Sequence, residues 1–200
     1  MRGVTFPILT DRLLLRPFEP ADLDALHDMQ SRDDVTRYLS WQPRNREQTE
    51  EALRRIIELR AVDDESDGLR VAAIRRDTGA LVGDLSLWRT SREHQQGEIG
   101  FVVHPDHQGL GFATEGSVVM LRLGFEVARF HRIEASCDAR NLASARVMER
   151  LGMRREAHLV ENELVKGEWT DGLVYAILAS EWEAREGRPG FAPLRGLRGT

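Results

Sequence analysis

The chain has 200 residues, 28 basic and 33 acidic side chains, a formal net charge of −5 and 41% hydrophobic residues. That length suits one domain with an ordinary core, and the acidic balance excludes a dedicated nucleic-acid binder, which carries a basic excess. The single cysteine, Cys137, excludes an internal disulfide and a thiol-rich zinc site.

No apolar run reaches the roughly 18 residues of a membrane span. Met1 to Arg12 lack the apolar stretch of a signal peptide. A cytoplasmic protein with no membrane partner is the expectation. Lys166 is the only lysine, so 27 of the 28 basic residues are arginine. Arginine binds phosphate and carboxylate bidentately, but these arginines are scattered, which reads as compositional bias.

Leu13, Leu14 and Leu15 form a short apolar run closed by Pro17, as in a buried strand. Pro20 stands at a good first helical position, with Leu23, Leu26 and His27 following at helical spacing. Ser31 and Asp34 resemble a capping box before Val35, Tyr38 and Leu39. Trp41 to Arg46 reads as a loop. Asn45 and Gln48 then cap a helix whose apolar face is Leu53, Ile56 and Ile57. Three strand-like runs follow as an antiparallel meander: Leu69–Ile74, Leu81–Trp88 and Glu98–Val103. A helix is expected from about Phe112 to Phe130, a strand over Arg132–Asp138, and a helix over Leu142–Leu151 ended by Gly152. Met153–Val165 and Gly172–Ala179 read as two further strands joined by a polar turn at Lys166–Asp171. The reading is a mixed α/β chain of about seven strands, one domain over 1–186, and a mobile Gly-, Pro- and Arg-rich tail over 187–200.

The most informative stretch runs from Glu98 through Val102, Val103 and His104 to Thr114. It is a strand, a proline stop, a glycine-rich turn and a helix start. Gly109 and Gly111 permit backbone angles closed to other residues. A turn that opens a helix aims free N–H groups and the positive dipole end at one point, an anion site suited to phosphates. The spacing is not that of a dinucleotide fingerprint, because Gly116 falls five residues after Gly111. It is not a Walker loop either, for no lysine completes it. Taken alone, two glycines read by default as a purely structural strand-to-helix turn.

Gln108-Gly-Leu-Gly111-Phe-Ala113 resembles the Gln/Arg-x-x-Gly-x-Gly/Ala signature of the GNAT superfamily of acyl-CoA-dependent N-acyltransferases. Three more segments, in order, resemble its ribosomal-protein alanine N-acetyltransferase branch: Leu9-Thr-Asp-Arg-Leu-Leu-Leu-Arg-Pro-Phe18, Asn141-Leu-Ala-Ser-Ala-Arg-Val-Met-Glu-Arg-Leu-Gly152 and Trp169-Thr-Asp-Gly-Leu-Val-Tyr175. The resemblance covers Leu9 to Trp182. It implies a twisted, mostly antiparallel sheet flanked by helices and splayed between its fourth and fifth strands, with acetyl-CoA as cosubstrate in the split and no metal. By the same resemblance Val102 and Val103 bond the pantetheine arm through their backbones. Gln108, Gly109, Leu110, Gly111, Phe112, Ala113 and Thr114 cradle the pyrophosphate, and Asn141 and Ser144 flank the arm and the thioester. Asn141 is also a good helix N-cap, which is a complete structural explanation of its own.

The implied reaction is attack of an amine on an acyl thioester. At pH 7 an alkylamine of pKa about 10.4 is roughly 0.04% neutral and an α-amino group near 7.8 roughly 14%. A general base therefore matters more for alkylamines. Glu98 opens the strand that leads into the turn and is the candidate base; an ordinary strand-end carboxylate is the alternative. Many relatives place a tyrosine acid on the helix after the asparagine. Here that position is Met148, and Ser144 is the candidate weak acid. Tyr38, Trp41, Trp88 and His104 are candidates for the acceptor wall. The acceptor is expected to be a small amine or a protein N-terminus. A different acyl donor such as succinyl-CoA, and a non-catalytic acyl-CoA sensor, are the competing readings. The family often forms homodimers, and the sequence leaves that open.

Overall fold

The computed structural model describes residues 4–63 and 66–184. Its elements run β1 (Ile8–Leu9), β2 (Leu13–Pro17), α1 (Leu23–Gln30), α2 (Asp33–Thr36), α3 (Arg46–Ile57), β3 (Arg60–Val62), β4 (Asp67–Arg75), β5 (Leu81–Ser91), β6 (Gln96–Val103), α4 (Phe112–Arg122), β7 (Arg132–Asp138), α5 (Leu142–Arg150), β8 (Arg154–Val165), β9 (Glu168–Leu178) and α6 (Ala179–Glu183). The strands form one sheet in the order β1-β2-β4-β5-β6-β7-β9-β8, with β3 added to β4. Among the described residues, only the β6–β7 pair is parallel.

That parallel pair is the feature that makes a site. β5 holds β6 along its length, from Ser91↔Gln96 to Gly83↔Val103. β7 pairs with β6 only at Gln96, Gly97 and Glu98, while it stays with β9 as far as Asp138↔Gly172. From Ile99 onward the two strands diverge, and the sheet opens into a split.

Strand alternation sorts the side chains onto two faces. Leu69, Val71, Leu85, Leu87, Ile99 and Ile133 bury against Val119 and Met120 of α4 and Met148 of α5. Ala72 and Val102, on the opposite face, bury with Phe18, Leu26, Met29, Leu53 and Ile56 from the α1–α3 layer. Each fully buried large aliphatic or aromatic side chain contributes about 1.5–3 kcal/mol. α4 lies tight on β5, since a Cβ at Gly116 would stand 2.4 Å from Leu85 Cδ1.

The expected capping box at α3 is present, with Gln48 N donating to Asn45 Oδ1 at 2.9 Å and Asn45 N donating to Gln48 Oε1 at 3.0 Å. The one expected at Ser31 and Asp34 is not. Arg32 caps α2, and the Asp34 carboxylate is taken bidentately by the Arg32 guanidinium at 2.8–2.9 Å. The long helix after the glycine turn is α-helical only to Arg122. It widens into a π turn over Leu123–Val127, and Arg129, in the left-handed region at φ 59°, reverses the chain. The last hairpin turns on two residues, Lys166 (φ 53°) and Gly167 (φ 87°), so β9 starts at Glu168, earlier than expected. β1 and β3 were not anticipated because two or three residues show no alternation. The tail over 187–200 lies outside the described residues.

Candidate active site

The split opens into a cleft of about 1610 Å³, lined by the end of β6, the turn from Gln108 to Thr114, Ser136 and Cys137 of β7, Asn141 and Ser144 of α5, and Tyr38 after α2. At one end Gly109 (φ 74°) and Gly111 (φ 84°) swing the backbone from β6 into α4. Gly111 caps α4 with no side-chain hydrogen bond. The N–H groups of Phe112, Ala113 and Thr114 therefore have no intrahelical acceptor and sit at the positive end of the helix dipole. Thr114 Oγ1 is buried there without a partner among the described residues. An N–H cradle plus an orphaned hydroxyl fits the diphosphate of coenzyme A. The Gln108 side chain turns back, its amide donating to Val103 O at 3.0 Å, so it pins the turn.

A strap from the start of the chain buttresses this turn. Glu115 on α4 accepts from Thr10 Oγ1 at 2.6 Å, from Arg12 N at 2.9 Å and from Arg12 Nε at 2.7 Å. Burial pushes the Glu115 acid up, but those three donors outweigh it and hold the carboxyl below its usual range. The Arg12 guanidinium also donates to Leu110 O at 2.8 Å and lies 4.8 Å from the Phe112 ring centre. Arg76 secures the strap by donating to Thr10 O and Asp11 O at 2.6 and 3.0 Å. Nothing in the spacing of these residues foretold the strap, which joins positions 103–105 residues apart.

On β6, His104 N donates to Val82 O of the β5 side at 2.9 Å. In an antiparallel pair the bonded residues alternate, so Ile99, Phe101 and Val103 aim their N–H and C=O groups into the split. Val102 was expected to bond the pantetheine arm, and here a correction is needed. Its main chain faces β5, opposite Asp84, and the main-chain groups turned to the split at this level are those of Phe101. Val103 keeps a free N–H toward the split, its carbonyl being held by Gln108.

At the base of the split stands Glu98, opposite Trp88 on β5 and level with Glu134 on β7. Ser136, which lines the cleft, donates its hydroxyl to Glu98 Oε1 at 3.3 Å. Burial raises the Glu98 acid above its ordinary value; the Ser136 hydrogen bond opposes this, and the Glu134 carboxylate adds to it. The carboxylate thus stands just behind the cleft, with Ser136 between, a serine the sequence reading passed over.

Asn141 caps α5, accepting from Ser144 N at 3.1 Å. Ser144 lines the cleft, and among the described residues its hydroxyl has no partner. Burial pushes the Cys137 thiol up to about 11, so this cysteine stays protonated near neutrality. Tyr38 lines the cleft as expected. Trp88 sits over Gly68 beside Glu98. Two expected wall residues do other work. Trp41 lies under the Arg44 guanidinium at 4.4 Å. His104 is buried behind the turn, its Nδ1 accepting from Asp106 N, so Nε2 carries the proton and donates to Asp28 of α1 at 3.0 Å.

A parallel pair that opens after three residues, with a glycine-capped helix at its mouth, defines a coenzyme A-dependent acyl-transfer fold. The family model described as "Acetyltransferase (GNAT) domain" matches residues 12–154. The chain belongs to the GNAT acetyltransferase family, which uses acetyl-CoA as cosubstrate. It is 34% identical to the uncharacterized N-acetyltransferase YnaD of Bacillus subtilis over 88% of this chain and 98% of that protein. It is 25% identical to the spermidine N(1)-acetyltransferase of Escherichia coli over 90% and 94%. The crystal structure of a GNAT-family acetyltransferase from Bacillus anthracis superposes with a TM-score of 0.77 at 33% identity, covering 87% of this chain and 99% of that one.

Proposed function

We propose that this N-acetyltransferase acts on the primary amine of a small molecule or peptide, with Glu98 taking the proton from the attacking amine. The observation that carries this is the half-buried carboxylate of Glu98 at the base of the split, behind Ser136. Acetyl-CoA supplies the acetyl group as a thioester. Gly109 to Thr114 hold its diphosphate, and the backbones of Phe101 and Val103 orient the arm. Glu98 receives the amine proton directly or through one water along the Ser136 hydroxyl. Its raised pKa makes it a stronger base than a solvated carboxylate. The Ser144 hydroxyl, free and facing the cleft, keeps a proton for the departing sulfur. A relative that acetylates spermidine supports a small amine as acceptor. A carboxylate just behind the cleft and a free hydroxyl lining it favour catalysis over a sensing role.

The test is thiol release from acetyl-CoA across a panel of amines and short peptides. Glu98→Gln should lower kcat/KM by roughly 10²- to 10³-fold, most for high-pKa amines, and should remove the acid limb of the pH–rate profile. An unchanged profile would remove Glu98 from the reaction.

A further inference from the structure

Beside the cleft lies a second, smaller cavity of about 260 Å³, lined by Arg37, Tyr38, Arg140, Val165, Lys166 and Glu168. Three separate parts of the chain build it: the end of α2, the β7–α5 turn and the tip of the β8–β9 hairpin. The tip is docked, since Lys166 Nζ donates to Thr36 O, at the end of α2, at 2.7 Å. The guanidinium carbon of Arg37 lies 5.2 Å from the Tyr38 ring centre, and that of Arg140 lies 6.0 Å from it. Tyr38 belongs to both cavities, so the small one adjoins the cleft.

The charges do not cancel. Arg140 is tied to Asp138 at 2.7 Å and to Glu168 at 3.3 Å, which consumes the one carboxylate of the lining. Arg37 and Lys166 have no carboxylate in ion-pair range among the described residues. Like charges converging on one ring repel each other, and an anion placed among them relieves that repulsion with charge-assisted hydrogen bonds. In a chain of net charge −5 this is a local positive site against the overall field.

We infer that Arg37, Lys166 and Tyr38 form a subsite for a carboxylate at the far end of the acceptor, so that the amine acetylated here belongs to an amino-acid- or peptide-like molecule. The inference rests on the acetyl-transfer reading and deepens it. Ser136 marks the reacting end, and Asp138, which holds Arg140, stands two residues further along β7, roughly 7 Å on. A short peptide, with its amine at one end and its carboxylate at the other, presents both groups that the two ends call for. A polyamine would bring its second cation against Arg37 and Lys166, which repel it.

The experiment titrates trialanine and its C-terminal amide calorimetrically into the protein saturated with coenzyme A, and measures thiol release from acetyl-CoA with the same two peptides and with spermidine. Trialanine should bind at least about tenfold tighter than the amide. Arg37→Gln should shrink that gap below about threefold while leaving the amide unchanged, and Arg37→Lys should restore most of it. Lys166→Met should narrow the gap in the same direction. Equal affinities, no trialanine binding, or spermidine preferred over both peptides would overturn the subsite. Absence of thiol release with every acceptor would sink the acetyl-transfer reading instead, while the peptide affinities still decide the subsite.

Discussion

On the function proposed above, the two ends of the site recognise their ligands with different parts of the chain. At the cofactor end, donors come from consecutive backbone N–H groups at the start of α4, placed by Gly109 and Gly111. At the proposed acceptor end, the groups are side chains from the turn after α2, from β6 and β7, and from a hairpin tip. A backbone cradle needs only a local run of residues, so its ligand is written into a short motif. A side-chain cradle is assembled by the fold, and its ligand is set by residues far apart in sequence. One end can thus stay constant across a family while the other changes its substrate.

The comparison is broken most sharply by Gly111→Glu. It places a carboxylate at the phosphate cradle and a side chain at φ 84°, where Arg12 Nη2 already lies 3.3 Å from the Cβ position. Acetyl-CoA affinity should fall by at least about 100-fold by calorimetry, and any retained affinity would mean that the turn does not hold the diphosphate.

Glu98→Gln attacks the other end. Beyond the loss of rate, KM for acetyl-CoA should stay within about twofold. It should also change stability with a definite sign. The folded protein raises the Glu98 acid, so its carboxyl favours folding below its unfolded pKa and loses that advantage as pH rises through the folded value. The variant should melt higher than the parent at pH 7 and no higher at pH 4, as thermal unfolding would report.

A smaller effect sharpens the cofactor end. Glu115→Gln weakens the strap and should cost about 1–2 kcal/mol at pH 7. The Glu115 acid is held down in the fold, so its contribution is present above the unfolded pKa and fades as pH falls through the folded one. The deficit should therefore shrink in acid. KM for acetyl-CoA should rise modestly as Arg12 loses its anchor. The smallest change is Asn45→Ala, which removes a cap from the acceptor-side helix layer. It should cost about 1 kcal/mol in denaturant unfolding and leave both KM values alone.

Legibility in the sequence follows the same divide. The meander, the glycine turn and the α3 cap were readable because alternation, φ > 0 and capping are local. Asn141 read as a cap and proved to be one. Val102 was placed one residue out of register with the split, because which strand residues face outward depends on the neighbouring strand, here through the His104–Val82 bond. His104 and Trp41 looked like wall residues because polar and aromatic groups near a motif suggest a site, yet tertiary partners, Asp28 and Arg44, claim them. Ser136 carries no local signature, and the spacing of Thr10, Arg12 and Glu115 does not announce their contact. Only the parallel pairing of β7 and the strap bring them to the cleft.

The docked tip of the last hairpin has one more consequence. A catalyst that acetylates amines, bathed in its own acyl donor, is exposed to modifying itself. Arginine, still protonated at pH 12, is no nucleophile, and a chain with 27 arginines and one lysine offers almost no side-chain amine. The one it keeps, Lys166, spends a proton on the Thr36 carbonyl beside the cleft. The near-absence of lysine, a matter of composition at first sight, leaves the chain a single side-chain amine to expose to its own acyl donor.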